Sequence, residues 1–246
     1  MTLAIPFAHC ALFLDFDGTL TELAERPEAV KVAHDLPGVL ARLQHALDGA
    51  LAIVTGRPVE DIDRYLAPLL LPVAGVHGAE RRGSDGLLRR MIAPDVALIE
   101  AAARALAREH PALLVEVKPG AVALHYRQAP ALEQLCIDSM DEACSHAEGM
   151  VLLRGKMVVE VKPRRATKGL AVKTFLQEDP PFKDRIPWFA GDDVTDEAAF
   201  ETVQSLKGVA IKVGRGETLA QHRIESPAQL RDWLAEMTTL PRSAGA

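Results

Sequence analysis

The stretch Ala11-Leu12-Phe13-Leu14-Asp15-Phe16-Asp17-Gly18-Thr19 decides how the rest of the chain is read. Four apolar residues without alternation describe a strand buried on both faces, the habit of a parallel sheet. The run breaks at two acids one residue apart, beside a glycine. Open parallel sheets place their sites outside the carboxyl ends of their strands. Asp15 and Asp17 are therefore expected at a site rather than at an arbitrary turn.

Reading outward, Leu36, Leu40, Leu43 and Leu47 keep helical spacing and Gly49 stops the helix. A second apolar strand over 50–54 ends at Thr55-Gly56-Arg57. Pro58 opens another helix through Val59, Ile62 and Leu66, and a third strand over 73–76 ends at His77-Gly78. After Arg81 the rhythm changes. A helix over 94–108 precedes strands 113–118 and 122–127, joined through Pro119-Gly120, which is hairpin chemistry. A helix over 132–147 precedes a second strand pair, 150–153 and 157–162, turned around Gly155. From Thr167 the first rhythm returns: a helix to Leu176, a strand over 186–190, a helix near Glu197, a strand over 209–213, and a last helix capped by Ser226-Pro227. The expected fold is α/β, a Rossmann-like doubly wound parallel sheet made from 1–81 and 162–246, with an α+β cap inserted over 82–161. The tail after Pro241 reads as disordered.

With 48% hydrophobic and 25% charged residues the 246-residue chain can bury a sizeable core, which excludes a disordered protein. Its most apolar stretch, 65–76, is too short for a bilayer span and contains Pro68 and Pro72. Neither a membrane nor, at a net charge of -6 with scattered basic residues, a nucleic acid is expected as partner. The apolar N-terminus lacks a basic leader, and cleaving it as a signal peptide would remove the strand that presents the acids. Cys10, Cys136 and Cys144 form neither a CxxC pair nor an even framework, so a reducing compartment, the cytoplasm, is expected. A monomer is the expected state.

Four positions at strand ends or the helix starts after them carry chemistry: Asp15 with Asp17, Thr55, Lys168, and Asp192 with Asp193 and Asp196. Each alone has an ordinary alternative. An Asp-x-Asp can be a turn, Asp192 to Glu197 can be acids at a helix start, and Lys168 can be a solvated lysine. Their joint occurrence in order favours a site. Carboxylates gathered with few cations repel one another and call for a hard divalent cation; oxygen ligands favour magnesium. Asp15 could then attack phosphorus to give an aspartyl phosphate, and Asp17 could protonate the leaving oxygen and later deprotonate water. Thr55 and Lys168 suit the equatorial phosphoryl oxygens, and Gly56 and Arg57 beside Thr55 join the substrate-binding set.

The segments DFDGT, IVTGR, ATKG and GDDVTDE resemble the four motifs of haloacid dehalogenase superfamily phosphatases, in order and over nearly the whole chain. The resemblance implies Asp15 as nucleophile, Asp17 as acid and base, and Thr55 and Lys168 as phosphate holders. It also implies Mg2+ on the Asp15 carboxylate, the Asp17 carbonyl and Asp192, with Asp193 or Asp196 acting directly or through water. The insert is similar to the larger, C2 type of cap carried by members that act on sugar phosphates.

Strand alternation divides the cap. Glu116 and Lys118 share a face, His125 and Arg127 oppose Val122, Leu124 and Tyr126, and Glu160 opposes Val159 and Val161. A polar face of this kind suits a polyhydroxylated ligand, or simply water. HGAERR, ExK, ALHYR and GKMVVEVKP are similar to the pattern of the trehalose-6-phosphate phosphatases. That resemblance implies sugar contacts from Glu116, Lys118 and Glu160, and carries over His77, Gly78 and Arg154. It departs at KPRRATKG, where Arg165 stands at a place more commonly glycine. The implied activity is hydrolysis of trehalose 6-phosphate, the last step of trehalose biosynthesis. The rivals are a phosphatase for sucrose phosphate or mannosyl-3-phosphoglycerate, a phosphosugar mutase, and a receiver-like phospho-aspartate switch.

Overall fold

The computed structural model describes residues 7–24, 26–91 and 95–239. Two sheets organise it. The larger has eight strands, built around β1 (Cys10–Leu14), whose five residues are all buried. In chain order follow α1 (Leu36–Ala46), β2 (Leu51–Val54), α2 (Val59–Leu66), β3 (Val73–Gly75), β4 (Glu80–Arg82) and β5 (Leu88–Arg90). Next come α3 (Ala97–Glu109), β6 (Leu114–Lys118), β7 (Ala121–His125), α4 (Glu133–Ser145), β8 (Met150–Gly155) and β9 (Val158–Pro163). The chain ends with α5 (Lys168–Glu178), β10 (Ile186–Gly191), α6 (Val194–Ser205), β11 (Val209–Val213), β12 (His222–Ile224) and α7 (Pro227–Thr239).

The large sheet runs β12-β11-β10-β1-β2-β3-β4-β5, parallel from β12 to β3 and antiparallel at β4 and β5. β1 lies between β10 and β2, with Leu14 opposite both Ala190 and Ile53. The strand order therefore reverses at β1, which opens a crevice at its carboxyl end. This is the doubly wound core expected from the sequence. Aromatic packing fixes the sheet to its helices: Phe13, Phe175 and Phe182 pack together with centroids 5.0–5.9 Å apart, and Phe189 meets Phe200 edge-on at 5.8 Å. Each fully buried ring contributes about 1.5–3 kcal/mol.

The smaller sheet, β6-β7-β9-β8, is wholly antiparallel. Its apolar face, including Val122, Leu124, Val159 and Val161, packs with Ile99 of α3 and Met140 of α4 into a cluster of its own. The expected α+β insert is present, but the charged strands β4 and β5 were not anticipated. Leu88–Arg90 falls in the segment expected to be cap, yet it extends the large sheet. β4 reads Glu-Arg-Arg and shows no apolar run; it is held by ion pairs, Arg82 forking onto Asp63 at 2.6 Å through both nitrogens. β12 was also missed, being three residues of edge. The helix expected from 94 is seen from Ala97, while Pro94, the extreme N-terminus and the tail after Pro241 lie outside the described residues.

Candidate active site

Asp15 leaves β1 with its N–H on the Ala190 carbonyl at 2.9 Å, so its carboxylate is aimed by the β10 neighbour. Lys168, the first residue of α5, puts its ammonium 2.6 Å from Asp15 Oδ1 and 2.6 Å from Asp196 Oδ1. Thr19 donates to Asp15 Oδ2 at 3.1 Å. Asp196 uses its second oxygen to accept the N–H groups of Asp192 and Asp193, both at 2.9 Å, and with Asp193 forms the capping box of α6. The cap that starts the helix thereby fixes the loop carrying Asp192.

Asp15, Asp192 and Asp196 are buried, each offering an oxygen within 4.8 Å of the others. Burial first, then Asp196 and Asp192, push the Asp15 carboxyl well above the usual range, against Lys168. Burial likewise raises Asp192. Lys168 goes the other way, since Asp15 and Asp196 outweigh burial and keep it charged. The three buried carboxylates converge as an all-oxygen donor set, which fits Mg2+. Gly18, at φ +75°, makes room: a Cβ there would fall 2.3 Å from Asp192 Oδ2. Asp193 is not in the cluster.

Around this centre the structure gathers most of the expected residues in one cleft of about 950 Å³, counting its open mouth. Asp17, Thr55, Gly56, Arg57, His77, Glu116, Lys118, His125, Arg127, Glu160 and Asp193 line it with Asp15, Lys168 and Asp192. Arg57 forks onto Asp17 at 2.6 and 2.8 Å, so it engages a carboxylate of the site itself. Thr55 Oγ1 accepts the Arg57 N–H at 3.2 Å. Arg127 donates to the backbone carbonyls of Ala24 at 2.9 Å and Lys156 at 3.3 Å, tying cap to core.

The polar face of the cap sheet closes over the crevice as a chain of alternating charge. His125 Nε2 sits 2.8 Å from Glu116, which is 3.8 Å from Lys118; Lys118 donates to Glu160 at 3.3 Å, and Glu160 meets the core's His77 Nε2 at 3.2 Å. Burial alone would raise Glu160, but Lys118 and then His77 hold it well below the usual carboxylate range. Burial lowers His77 against the pull of Glu160; Nε2, facing that carboxylate, is the donor, and Nδ1 is buried with no hydrogen-bond partner among the described residues. Val76 and His77 both take left-handed backbone, φ 49° and 55°, an arrangement that costs side-chain-bearing residues of order 1–3 kcal/mol each. It lays the His77 ring on Gly56, where a Cβ would come within 2.8 Å of Cε1 and Nε2.

Two expected residues are not brought in. Arg154 pairs with Val159, whereas Leu153 opposes Glu160, so strand parity turns Arg154 to the other face, and its side chain is exposed. Gly78 packs against α5 instead, with the Cβ of Ala171 3.1 Å from where its own would stand. Two lysines were missed. Lys156 reaches Asp192 Oδ2 at 2.5 Å, and buried Lys212 donates to the Asp192 carbonyl. The signal for Lys212 was a charge inside an otherwise apolar strand; the signal for Lys156 was its place in the GKMVVEVKP segment, beside a glycine-containing turn.

The trehalose-phosphatase family matches residues 13–232. The chain is 39% identical over 234 residues to a trehalose-6-phosphate phosphatase of Escherichia coli (strain K12), covering 94% of this chain and 88% of that one. It is 45% identical over 207 residues to a probable trehalose-phosphate phosphatase of Sinorhizobium fredii (strain NBRC 101917 / NGR234), covering 83% and 77%. A crystal structure of a trehalose-6-phosphate phosphatase related protein superposes with TM-score 0.74 at 30% identity, over 92% of this chain and 96% of that one.

Proposed function

The chain belongs to the trehalose-phosphatase family, built on the haloacid dehalogenase fold, and on that premise we propose that it hydrolyses trehalose 6-phosphate to trehalose and phosphate through an aspartyl phosphate on Asp15. The observation that carries the chemistry is the triad of buried carboxylates, two of them bonded to Lys168, with Asp15 bonded on both oxygens so that its attack direction is set.

Mg2+, held by Asp15, the Asp17 carbonyl and Asp192, would supply the charge that lets an anionic phosphate approach a carboxylate. The side chains do the rest. Lys168 neutralises Asp15 and is placed to follow the charge onto the equatorial oxygens as the phosphoryl group moves. Thr55 adds a hydroxyl donor beside it. Asp17 protonates the departing sugar oxygen and then takes a proton from the hydrolytic water, which requires Arg57 to release one of its oxygens. Asp196 positions Lys168 and the Asp192 loop together.

Specificity resides in the cap: Glu116, Lys118 and Glu160 offer acceptors and a donor to sugar hydroxyls, and His77 Nδ1 adds an unused acceptor. The division into a core carrying the acids and a cap carrying the sugar contacts follows, with 82–91 assigned to the core. The setting is the cytoplasm, as expected of a chain with unpaired cysteines.

Phosphate release measured over a panel of sugar phosphates tests this reading. Trehalose 6-phosphate is expected to be preferred over sucrose phosphate and mannosyl-3-phosphoglycerate, with turnover lost on chelation and lowered by at least about 10³-fold in Asp15→Asn. A panel without that preference overturns the substrate assignment. A stable phosphoprotein that never releases phosphate overturns the enzyme.

A further inference from the structure

Lys156 stands at the tip of the β8–β9 hairpin, in the cap, yet its ammonium lies inside the acidic centre of the core. Nζ is 2.5 Å from Asp192 Oδ2 and 3.2 Å from the Asp192 carbonyl oxygen. Its arm is 46% exposed while the Asp192 side chain is 5% exposed, so one partner belongs to the open cleft and the other to the buried cluster. The hairpin tip is held in place: Met157 takes a left-handed φ of 61° just after Lys156, and Arg127 holds the Lys156 carbonyl and reaches on to Ala24.

An ammonium has three donors. Asp192 accepts two of those on Lys156. The third is available to an acceptor in the cleft that Lys156 lines together with Asp15, Thr55 and Lys168, where a phosphoryl group would sit. In the buried cluster Lys156 supplies the counter-charge that a divalent cation would otherwise supply, so the two compete for one carboxylate. Resting on the phosphatase reading above, we propose that Lys156 is a cap-borne phosphate ligand held in reserve on Asp192: when Asp192 turns to the divalent cation, the ammonium passes to an equatorial oxygen of the arriving phosphoryl group. Closure of the cap is thereby coupled to the charge of the substrate as well as to its sugar.

The assignment has a signature of opposite signs. Removing the lysine should strengthen cation binding in the absence of phosphate and weaken phosphate binding in the presence of the cation. Lys156→Met keeps the arm without the charge, and Lys156→Arg keeps the charge. Calorimetric titration of each full-length protein with Mg2+ alone should give a Kd about 3–10-fold tighter for Lys156→Met than for the wild type. Titration with inorganic phosphate at saturating Mg2+ should give a Kd about 10-fold or more weaker for Lys156→Met and within about 3-fold for Lys156→Arg. The kcat/KM for trehalose 6-phosphate should fall with the phosphate affinity. Thermal melts within a few degrees of the wild type show that the half-exposed site has not cost the fold.

Unchanged constants in Lys156→Met, or a loss of both affinities together, overturn the role given to Lys156 while an active wild type leaves the phosphatase reading standing. A wild type that neither binds phosphate nor releases it from trehalose 6-phosphate overturns that reading, and the ligand role with it.

Discussion

At the scale of single residues, Gly18 shows how little space the centre allows. Its left-handed φ of 75° and the 2.3 Å from a would-be Cβ to Asp192 Oδ2 are separate objections to any side chain. Gly18→Ala must therefore displace Asp192, twist the turn, or both. Its kcat/KM is expected to drop by about 10²-fold, since misplacement by an ångström has that cost, and its Mg2+ affinity should weaken in parallel. Wild-type affinity in that variant would show that Asp192 is not the group displaced. The acids, Thr55 and Lys168 were legible in the sequence as candidates because each sits where an apolar run stops or a helix starts. Arg57 was legible as a member but not as the partner of Asp17, because an ion pair between residues 40 apart leaves no local trace. Lys156 stood in the quoted GKMVVEVKP segment, but its tie to Asp192 was illegible for the same reason: that partner follows β10 of the other sheet.

At the scale of elements, the cap sheet turns its alternation into two faces with different work. The alternation separated the two faces, and on the apolar one Val122, Leu124, Val159 and Val161 share a buried cluster. The polar face could not be told from a solvated one until its partners were seen. Glu160 now makes a measurable difference to pH dependence. Its folded carboxyl titrates below the unfolded value of 4.5, because Lys118 and His77 overcome burial. Such a group contributes its full stability above 4.5 and loses it as the pH falls from there toward the depressed folded value. The wild-type Tm should therefore fall below pH 4.5 with a component that Glu160→Gln lacks, while at pH 7 that variant should melt several degrees lower, having left buried Lys118 and His77 without their carboxylate. Parallel acid limbs in the two proteins would mean that Glu160 is not held ionised. Parity also places Arg154, which the resemblance alone had put forward: the Leu153–Glu160 register turns it away from the cleft. β4, β5 and β12 escaped because these three-residue strands carry charges or mixed side chains instead of an apolar run.

At the scale of the whole molecule, the insert divides the core in sequence. β1 is paired on one side by β2, which follows within 40 residues of chain, and on the other by β10, where Cys10 meets Ile186. During synthesis the second edge of Cys-Ala-Leu-Phe-Leu stays without its partner until the entire cap has been made, a wait on the order of 10 s at ordinary elongation rates. An unpaired, wholly apolar parallel edge is a template for other chains. A fragment of residues 1–160 should accordingly aggregate at concentrations where the full chain stays dispersed, as light scattering would show; a dispersed fragment would mean that the cap or the helices shield that edge. The strand that ends at Asp15 is thus also a liability at birth, and the yield of folded chain should respond to the time its second edge waits.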